Sequence, residues 1–182
     1  MSLTKTPLCE IGKRMNSFVL KSTSNTLIRS DDIVGKSGTL IMFLCNHCPY
    51  VKAIIKELVK TTKKLQTIGI SSVAIMPNDF KNYPEDSFDN MKVFSERNEF
   101  CFPYLLDDTQ KVAKDFGAVC TPDFFGFDSD LNLRYRGRFI KMQNLKFVNK
   151  KNDLFDAMSM IAETKKGPLN QYPSIGCSIK WR

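Results

Sequence analysis

The chain has 182 residues, of which 42% are hydrophobic and 25% are charged, so it can bury a substantial core without disulfide staples. Its 27 Lys and Arg residues outnumber its 19 Asp and Glu residues, which gives a formal net charge of +8. The basic residues alternate with acidic ones and accompany no nucleic-acid-binding motif, and no apolar run is long enough to cross a bilayer. We therefore expect neither nucleic acid nor a membrane as a partner.

The N-terminal segment, residues 1–14, lacks the continuous apolar stretch of a secretory signal, so we expect a cytoplasmic location. Cysteines in that compartment usually stay reduced, and six of them in this chain do not predict a structural disulfide framework. Cys9 and Cys101 are isolated in the sequence. We assign them no function beyond that of small buried side chains.

In the first half of the chain, predicted strands surround one long helix. Residues 18–33 predict a leading hairpin, and residues 39–44 form an apolar run that is typical of a buried strand. Pro49 opens a segment with apolar residues at helical spacing, and Gly69 ends it. Residues 70–76 predict a second buried strand.

The second half continues with helices, a short strand and a hairpin. The pattern predicts a helix that Asp86 or Ser87 caps, a strand over 102–106, a helix that Gly117 ends, a hairpin with strands 124–127 and 133–136, and a final helix over 154–162. This order fits an α/β fold with a mixed sheet, helices on both faces and an N-terminal β-hairpin. No repeat or long linker divides the chain, so we expect one domain over residues 1–182, with 168–182 as a C-terminal tail.

Cys45 and Cys48 form a CxxC motif between the first buried strand and the following helix. Two cysteines at this spacing can close or open a disulfide with little backbone movement, and such a junction is typical of thiol–disulfide active sites. A free cysteine, with a pKa of about 8.5, is mostly protonated at neutral pH, whereas a helix N-terminus stabilises its thiolate. We expect Cys45 to lie exposed at that N-terminus and to attack, and Cys48, one turn inside, to resolve the mixed disulfide.

His47 is the only histidine in the chain, and it lies between the two cysteines. Its imidazolium can stabilise the Cys45 thiolate, which favours the reduced dithiol and makes the disulfide more oxidising. We therefore group His47 with the two cysteines as catalytic. We also expect a reduction potential above that of thioredoxin.

Thr121-Pro122 before a hairpin strand, together with the CxxC motif at the end of a buried strand, resembles the thioredoxin-fold superfamily. The redoxin branch, the alkyl hydroperoxide reductase/thiol-specific antioxidant (AhpC/TSA) group, includes bacterial thioredoxin-family proteins with a Cys-Asn-His-Cys-Pro-Tyr-Val motif. The stretches that resemble it here are 45–51, 78–79, 83–86, 117–127 and 173–181. The resemblance implies a thioredoxin-like fold.

The resemblance also implies roles for residues outside the motif. It makes Pro122 a cis proline beside the cysteines and lets the Thr121 backbone pair with an extended substrate segment. Cys120 would then lie near the motif as an accessory thiol, with simple burial as the alternative. The tail itself, which contains Gly, Pro and Ser, can fold back and make Cys177 a relay thiol, with structural anchoring of the tail through Ile179 and Trp181 as the alternative.

The chain departs from two neighbouring branches at positions that matter for the reaction. Peroxiredoxins place a Thr three residues before the peroxide-reacting Cys and a Pro four residues before that Thr. Here Cys48 takes the position of the reacting Cys, Cys45 takes that of the Thr, and Ile41 takes that of the Pro. Typical thioredoxins have a Trp just before the motif and a buried Asp six residues before its first Cys, where this chain has Leu44 and Thr39.

Three functions follow from these residues. The first is a thiol–disulfide oxidoreductase without a cofactor, whose partners are a protein or small-molecule disulfide and a thiol reductant. The second is a thiol-dependent peroxidase that reacts with hydroperoxide at Cys48. The third is a carrier that binds a soft metal through Cys45, His47 and Cys48, although no second Cys/His pair completes a tetrahedral zinc site, and we assign no metal ligand. No part of the pattern specifies an oligomeric state.

Overall fold

The computed structural model describes residues 3–7 and 10–182, so Cys9 lies outside the described residues. The described strands and helices are β1 (Leu3–Lys5), β2 (Val19–Ser22), β3 (Leu27–Arg29), β4 (Gly38–Phe43), α1 (Pro49–Thr67), β5 (Ile70–Met76), α2 (Phe88–Arg97), β6 (Tyr104–Leu106), α3 (Lys111–Phe116), β7 (Cys120–Thr121), β8 (Asp123–Phe127), β9 (Leu133–Gly137), β10 (Ile140–Gln143), β11 (Lys146–Asn152), α4 (Asp153–Thr164) and β12 (Ile175–Ser178). None of these helices combines the length and the apolar character that crossing a membrane requires.

Seven strands form a central mixed sheet in the order β3-β2-β6-β5-β4-β8-β9. β5 runs parallel to both β4 and β6, while β8 pairs antiparallel with β4. Parallel strands are covered on both faces, which explains why the apolar runs 39–44 and 70–76 become the buried strands β4 and β5. The predicted mixed sheet with helices is confirmed, and so is the N-terminal hairpin, formed by β2 and β3.

Side chains of β4 alternate between two hydrophobic cores, one on each face of the sheet. Leu40 and Met42 belong to the core that contains the apolar faces of α1 and α4. Ile41 and Phe43 belong to the core that contains α3. The C-terminal end of β4 is therefore fixed between two packed layers, and this end leads into the CxxC motif.

Helix α1 begins at Pro49, as the sequence pattern predicts. Proline lacks only an N–H that the first turn leaves unpaired anyway, and its φ angle matches that of a helix. Val51, Ile54 and Leu58 then recur at helical spacing on the buried face. Gly69 follows the end of the helix with φ of +83°, a left-handed backbone that glycine tolerates best.

Residues 168–182, predicted as a tail, contain a strand. β12 is the middle strand of a three-stranded sheet and pairs antiparallel with β1 on one side and with β7 on the other. The Gly and Ser residues of β12 weaken its strand pattern, and β7 is only two residues long, so the sequence gives no clear signal for this pairing. The pattern also misses the hairpin of β10 and β11.

Candidate active site

The two motif cysteines lie in the loop between β4 and α1, and both are fully buried. Because Pro49 is the first helical residue, Cys48 is the N-cap of α1. The prediction that Cys45 lies exposed at the helix N-terminus is therefore wrong, since Cys45 precedes the cap and is 0% exposed. Cys48, rather than Cys45, is the thiol at the N-terminus of the helix.

Thr121 lies next to both motif sulfurs. Cys45 Sγ is 3.1 Å from Thr121 Oγ1, and Cys48 Sγ is 3.2 Å from the Thr121 carbonyl oxygen. Cys48 Sγ is also 3.0 Å from Cys177 Sγ, and the two motif thiols hydrogen-bond to each other. The Thr121–Pro122 bond is cis, as the resemblance implies. The fold thus brings these five residues into one cluster.

The unequal surroundings of the two motif thiols determine which of them carries the negative charge. Hydrogen bonding with the Cys45 thiol, helped by hydrogen bonding with Cys177, outweighs burial and lowers the pKa of Cys48 to about 5. Burial, the hydrogen bond with Cys48 and the charge of Asp86 raise the pKa of Cys45. The lowered pKa of Cys48 and the raised pKa of Cys45 favour Cys48 as the thiol of the pair that carries the negative charge.

His47 is held by a carboxylate that the sequence pattern indicates only as a helix cap. His47 Nδ1 lies 2.7 Å from Asp86 Oδ2, and Asp86 is fully buried, while Ser87 is the residue that caps α2. The hydrogen bond to Asp86 outweighs burial and raises the pKa of His47, and the charge of Cys48 raises it further. This attraction is mutual, so the imidazolium stabilises the Cys48 thiolate.

Asp86 also fixes the backbone of the motif. Its Oδ1 accepts from the backbone N–H groups of Asn46 and His47, at 2.8 and 3.4 Å, and its Oδ2 accepts from Asn78 Nδ2 at 2.7 Å. The buried Tyr104 donates its hydroxyl to Asn46 Oδ1 at 3.0 Å. One carboxylate therefore binds the loop, the imidazole ring and a neighbouring amide. The only hint of it in the sequence is that it lies within the family-like stretch 83–86.

The edge of β7, where the resemblance places a substrate segment, pairs with β12 of the same chain. Cys177 is the register partner of Thr121, and Ser178 is that of Cys120. The two strands approach so closely that a Cβ on Gly176 would lie 2.1 Å from the Thr121 carbonyl oxygen. The pairing of Thr121 with a substrate thus stays a prediction, and it requires β12 to leave this edge.

Cys120 and Cys101 have surroundings typical of structural thiols. Cys120 is fully buried, and its sulfur is 3.7 Å from the Pro122 carbonyl oxygen. Burial and then the charge of Asp123 raise the pKa of Cys120, so that it stays protonated at neutral pH. Cys101 is half-buried and contacts the Thr62 hydroxyl at 3.3 Å. The accessory role of Cys120 stays a prediction.

Two clefts adjoin the motif. His47 lines one of them, with a volume of about 320 Å³, together with Arg97. The other has a volume of about 450 Å³ and is lined by Pro122, Phe139 and Arg138 among others. Basic side chains line both clefts, and Glu85 adds an acidic one to the first.

Within the described residues, Cys45, His47 and Asp86 form a group that could hold a metal ion, since their ligand atoms lie within 4.8 Å of one another. Asp86 therefore takes the place of Cys48 in the ligand set considered from the sequence. The same atoms already bind protein groups: His47 Nδ1 contacts Asp86, and Cys45 contacts the Thr121 hydroxyl. These contacts fix the positions of the Cys45 thiol and the His47 imidazole.

Comparison with known proteins identifies two close structural relatives. An uncharacterized conserved protein from Geobacillus kaustophilus is 40% identical, with a TM-score of 0.95, and the match covers 100% of this chain and 97% of that one. A hypothetical protein from Sinorhizobium meliloti 1021 is 33% identical, with a TM-score of 0.91, and the match covers 98% of each chain. No curated protein sequence matches the chain.

A more distant structure and a family model place the chain more broadly. The thioredoxin domain of a thiol-disulfide oxidoreductase from Bacteroides vulgatus is 14% identical, with a TM-score of 0.60, over 71% of this chain and 89% of that one. This likeness shows a thioredoxin-like fold. The model of the AhpC/TSA family matches residues 11–140. The chain is thus a thioredoxin-like redox protein, and it belongs to the AhpC/TSA family.

Proposed function

We propose that the protein is a thiol–disulfide oxidoreductase in which Cys48 attacks and Cys45 resolves. The observation that carries this proposal is the position of Cys48 at the N-cap of α1, in contact with the thiol of Cys45. Disulfide exchange needs such a pair, because the thiolate rather than the thiol attacks a disulfide. The sequence pattern favours the reverse roles, but the raised pKa of Cys45 and the lowered pKa of Cys48 support Cys48 as the nucleophile.

The proposed reaction consists of two exchange steps. The Cys48 thiolate attacks one sulfur of a substrate disulfide, the substrate S–S bond breaks, and the departing thiolate takes up a proton. The Cys45 thiol then gives up its proton and attacks the Cys48 sulfur of the mixed disulfide. A Cys45–Cys48 disulfide forms and the second substrate thiol leaves. An external thiol reductant reverses these steps and restores the dithiol without a cofactor.

The pair of His47 and Asp86 is proposed to set the redox balance of the motif. The imidazolium attracts the negative charge of Cys48, which exists only in the reduced protein. It therefore favours the reduced form, and the proposed reduction potential lies above roughly −270 mV, the value of thioredoxin. The proposed substrates are protein or small-molecule disulfides in the cytoplasm, a location that rests on the sequence alone.

A thiol-dependent peroxidase is the second candidate function. Cys48 occupies the position that the resemblance gives to the peroxide-reacting cysteine, and a thiolate at a helix N-terminus favours that reaction too. Hydroperoxide would oxidise the thiolate to a sulfenic acid and be reduced to water or an alcohol. The Cys45 thiol would then condense with the sulfenic acid, release water and form the same Cys45–Cys48 disulfide.

Turnover with both substrate classes tests the proposal. We expect the protein to accelerate the reduction of insulin disulfides by dithiothreitol, measured as the turbidity of the released insulin B chain. With hydrogen peroxide as the substrate, we expect consumption no faster than with dithiothreitol alone. Rapid peroxide consumption together with intact insulin disulfides contradicts the oxidoreductase and supports the peroxidase.

A further inference from the structure

The C-terminal strand β12 lies across the candidate active site and is anchored at both ends. Before the strand, Ser174 Oγ donates to the Pro122 carbonyl oxygen at 2.7 Å. After it, the Ile179 N–H donates to the Val119 carbonyl oxygen at 3.0 Å. Cys177 lies between these two anchors and is only 2% exposed, so its side chain is held inside the site.

Glycine at position 176 permits the close approach of β12 to the active-site strand. A Cβ at this residue would lie 2.1 Å from the Thr121 carbonyl oxygen and 3.0 Å from Pro122 Cδ, distances that a larger residue could reach only by displacing the strand. With glycine there, Cys177 pairs in register with Thr121, and its sulfur comes to lie 3.0 Å from Cys48 Sγ. The sulfur of Cys48 thus contacts two thiols, those of Cys45 and Cys177.

We propose that Cys177 is a third redox-active thiol, which takes over the disulfide that forms in the CxxC motif; this step rests on the proposed function. The Cys177 sulfur attacks the Cys48 sulfur of the Cys45–Cys48 disulfide. A Cys48–Cys177 bond forms, the Cys45–Cys48 bond breaks, and the proton of Cys177 passes to the departing Cys45 sulfur. The exchange is an isomerisation and needs no external oxidant.

The surroundings of the two competing thiols support this exchange. Burial raises the pKa of Cys177 as it does that of Cys45, so each of them carries a proton when it is reduced. The exchange therefore replaces one buried neutral thiol by another and leaves no additional buried charge. It also ties β12 covalently to the motif, so that a protein segment can no longer displace it to pair with Thr121.

Non-reducing peptide mapping of the oxidised protein tests the proposal. The reduced protein is treated with one equivalent of diamide, a small-molecule thiol oxidant, quenched in acid, digested and analysed by mass spectrometry. We expect both the Cys45–Cys48 and the Cys48–Cys177 disulfides in the wild-type protein. In Cys45→Ser we expect Cys48–Cys177 as the main product, because the competing partner is gone. Absence of the Cys48–Cys177 peptide from both proteins overturns the proposal.

A strand variant tests whether the geometry of β12 controls the exchange. Gly176→Ala should lower the ratio of Cys48–Cys177 to Cys45–Cys48 by about tenfold, because the added Cβ pushes β12 away from Thr121. Ile175→Ala, in the same strand but at a partly exposed side chain, should leave the ratio unchanged. An equal ratio in the two variants contradicts the proposed role of β12.

Insulin reduction by the wild-type protein separates this proposal from the proposed function. If the protein accelerates insulin reduction but peptide mapping finds no Cys48–Cys177 disulfide, Cys177 has no redox role and the proposed oxidoreductase function stands. If peptide mapping finds the Cys48–Cys177 disulfide but the protein does not accelerate insulin reduction, the redox pairing of Cys177 is supported and the proposed oxidoreductase function is contradicted.

Discussion

The Cys48→Ser variant is expected to reduce insulin no faster than dithiothreitol alone. A serine hydroxyl forms no thiolate at neutral pH and cannot make a mixed disulfide, so the first exchange step is lost completely. The Cys45→Ser/Cys177→Ser double variant should keep this first step but lose both thiols that contact Cys48. After treatment with oxidised glutathione, intact mass and peptide mapping should show one glutathione, bound to Cys48.

A matched control for these replacements is Cys101→Ser. Cys101 is half-buried against Thr62 and has no contact with the motif in the described contacts, so turnover should stay at the wild-type level. Turnover by Cys48→Ser, with glutathione bound to Cys45, contradicts the assignment of Cys48 as the nucleophile.

Asp86→Asn is expected to produce the second large effect. The substitution keeps the size of the side chain, but its amide group replaces the oxygen that accepts from Asn78 and contacts the His47 ring. A buried donor then faces another donor, and we expect the free energy of unfolding to fall by about 1–3 kcal/mol, measured by urea denaturation. Asp89→Asn, at an exposed residue in the first turn of α2, should change it by less than about 0.5 kcal/mol.

The same variant changes the titration of His47, which NMR can follow directly because the chain has one histidine. In the wild-type protein the folded-state pKa of His47 lies above the ordinary value of 6.5, so the pair with Asp86 stabilises the fold fully below that pH. This contribution is lost as the pH rises through the folded-state pKa. In Asp86→Asn the pKa should fall, since the hydrogen bond to Asp86 is its main cause. An unchanged His47 pKa contradicts the role given to Asp86.

The scaffold of the site is predictable from the sequence because its signals are local. The apolar runs 39–44 and 70–76 correspond to β4 and β5, and Pro49 marks the start of α1. A buried parallel strand shows in the sequence as a run of consecutive apolar residues. The start of a helix shows in the backbone preference of a single residue such as proline. The CxxC motif between β4 and α1 is local in the same sense.

The misplacement of Cys45 also has a local cause. Proline favours the first position of a helix, and the residue before it is then the cap. Applied to Pro49, this rule makes Cys48 the N-cap and leaves Cys45 outside the helix, as the structure has them. The position of Pro49 therefore indicates the start of the helix better than the first cysteine of the motif does.

The contacts that set the chemistry of the site are not local. His47 and Asp86 are 39 residues apart, and Cys48 and Cys177 are 129 residues apart. Tertiary packing brings such pairs together, and the hydrophobic periodicity of the sequence does not predict which distant residues will meet. Thr39 occupies the position where typical thioredoxins have a buried Asp, and the structure provides a buried carboxylate from a different segment, at Asp86.

Alkylation of the reduced protein with iodoacetamide, followed residue by residue by mass spectrometry as the pH is lowered from about 8 to about 5, identifies the thiolate directly. The lowered pKa of Cys48 and the raised pKa values of Cys45 and Cys177 predict that Cys48 is labelled first at every pH. The margin should grow as the pH falls. Labelling of Cys45 ahead of Cys48 would contradict the proposed mechanism.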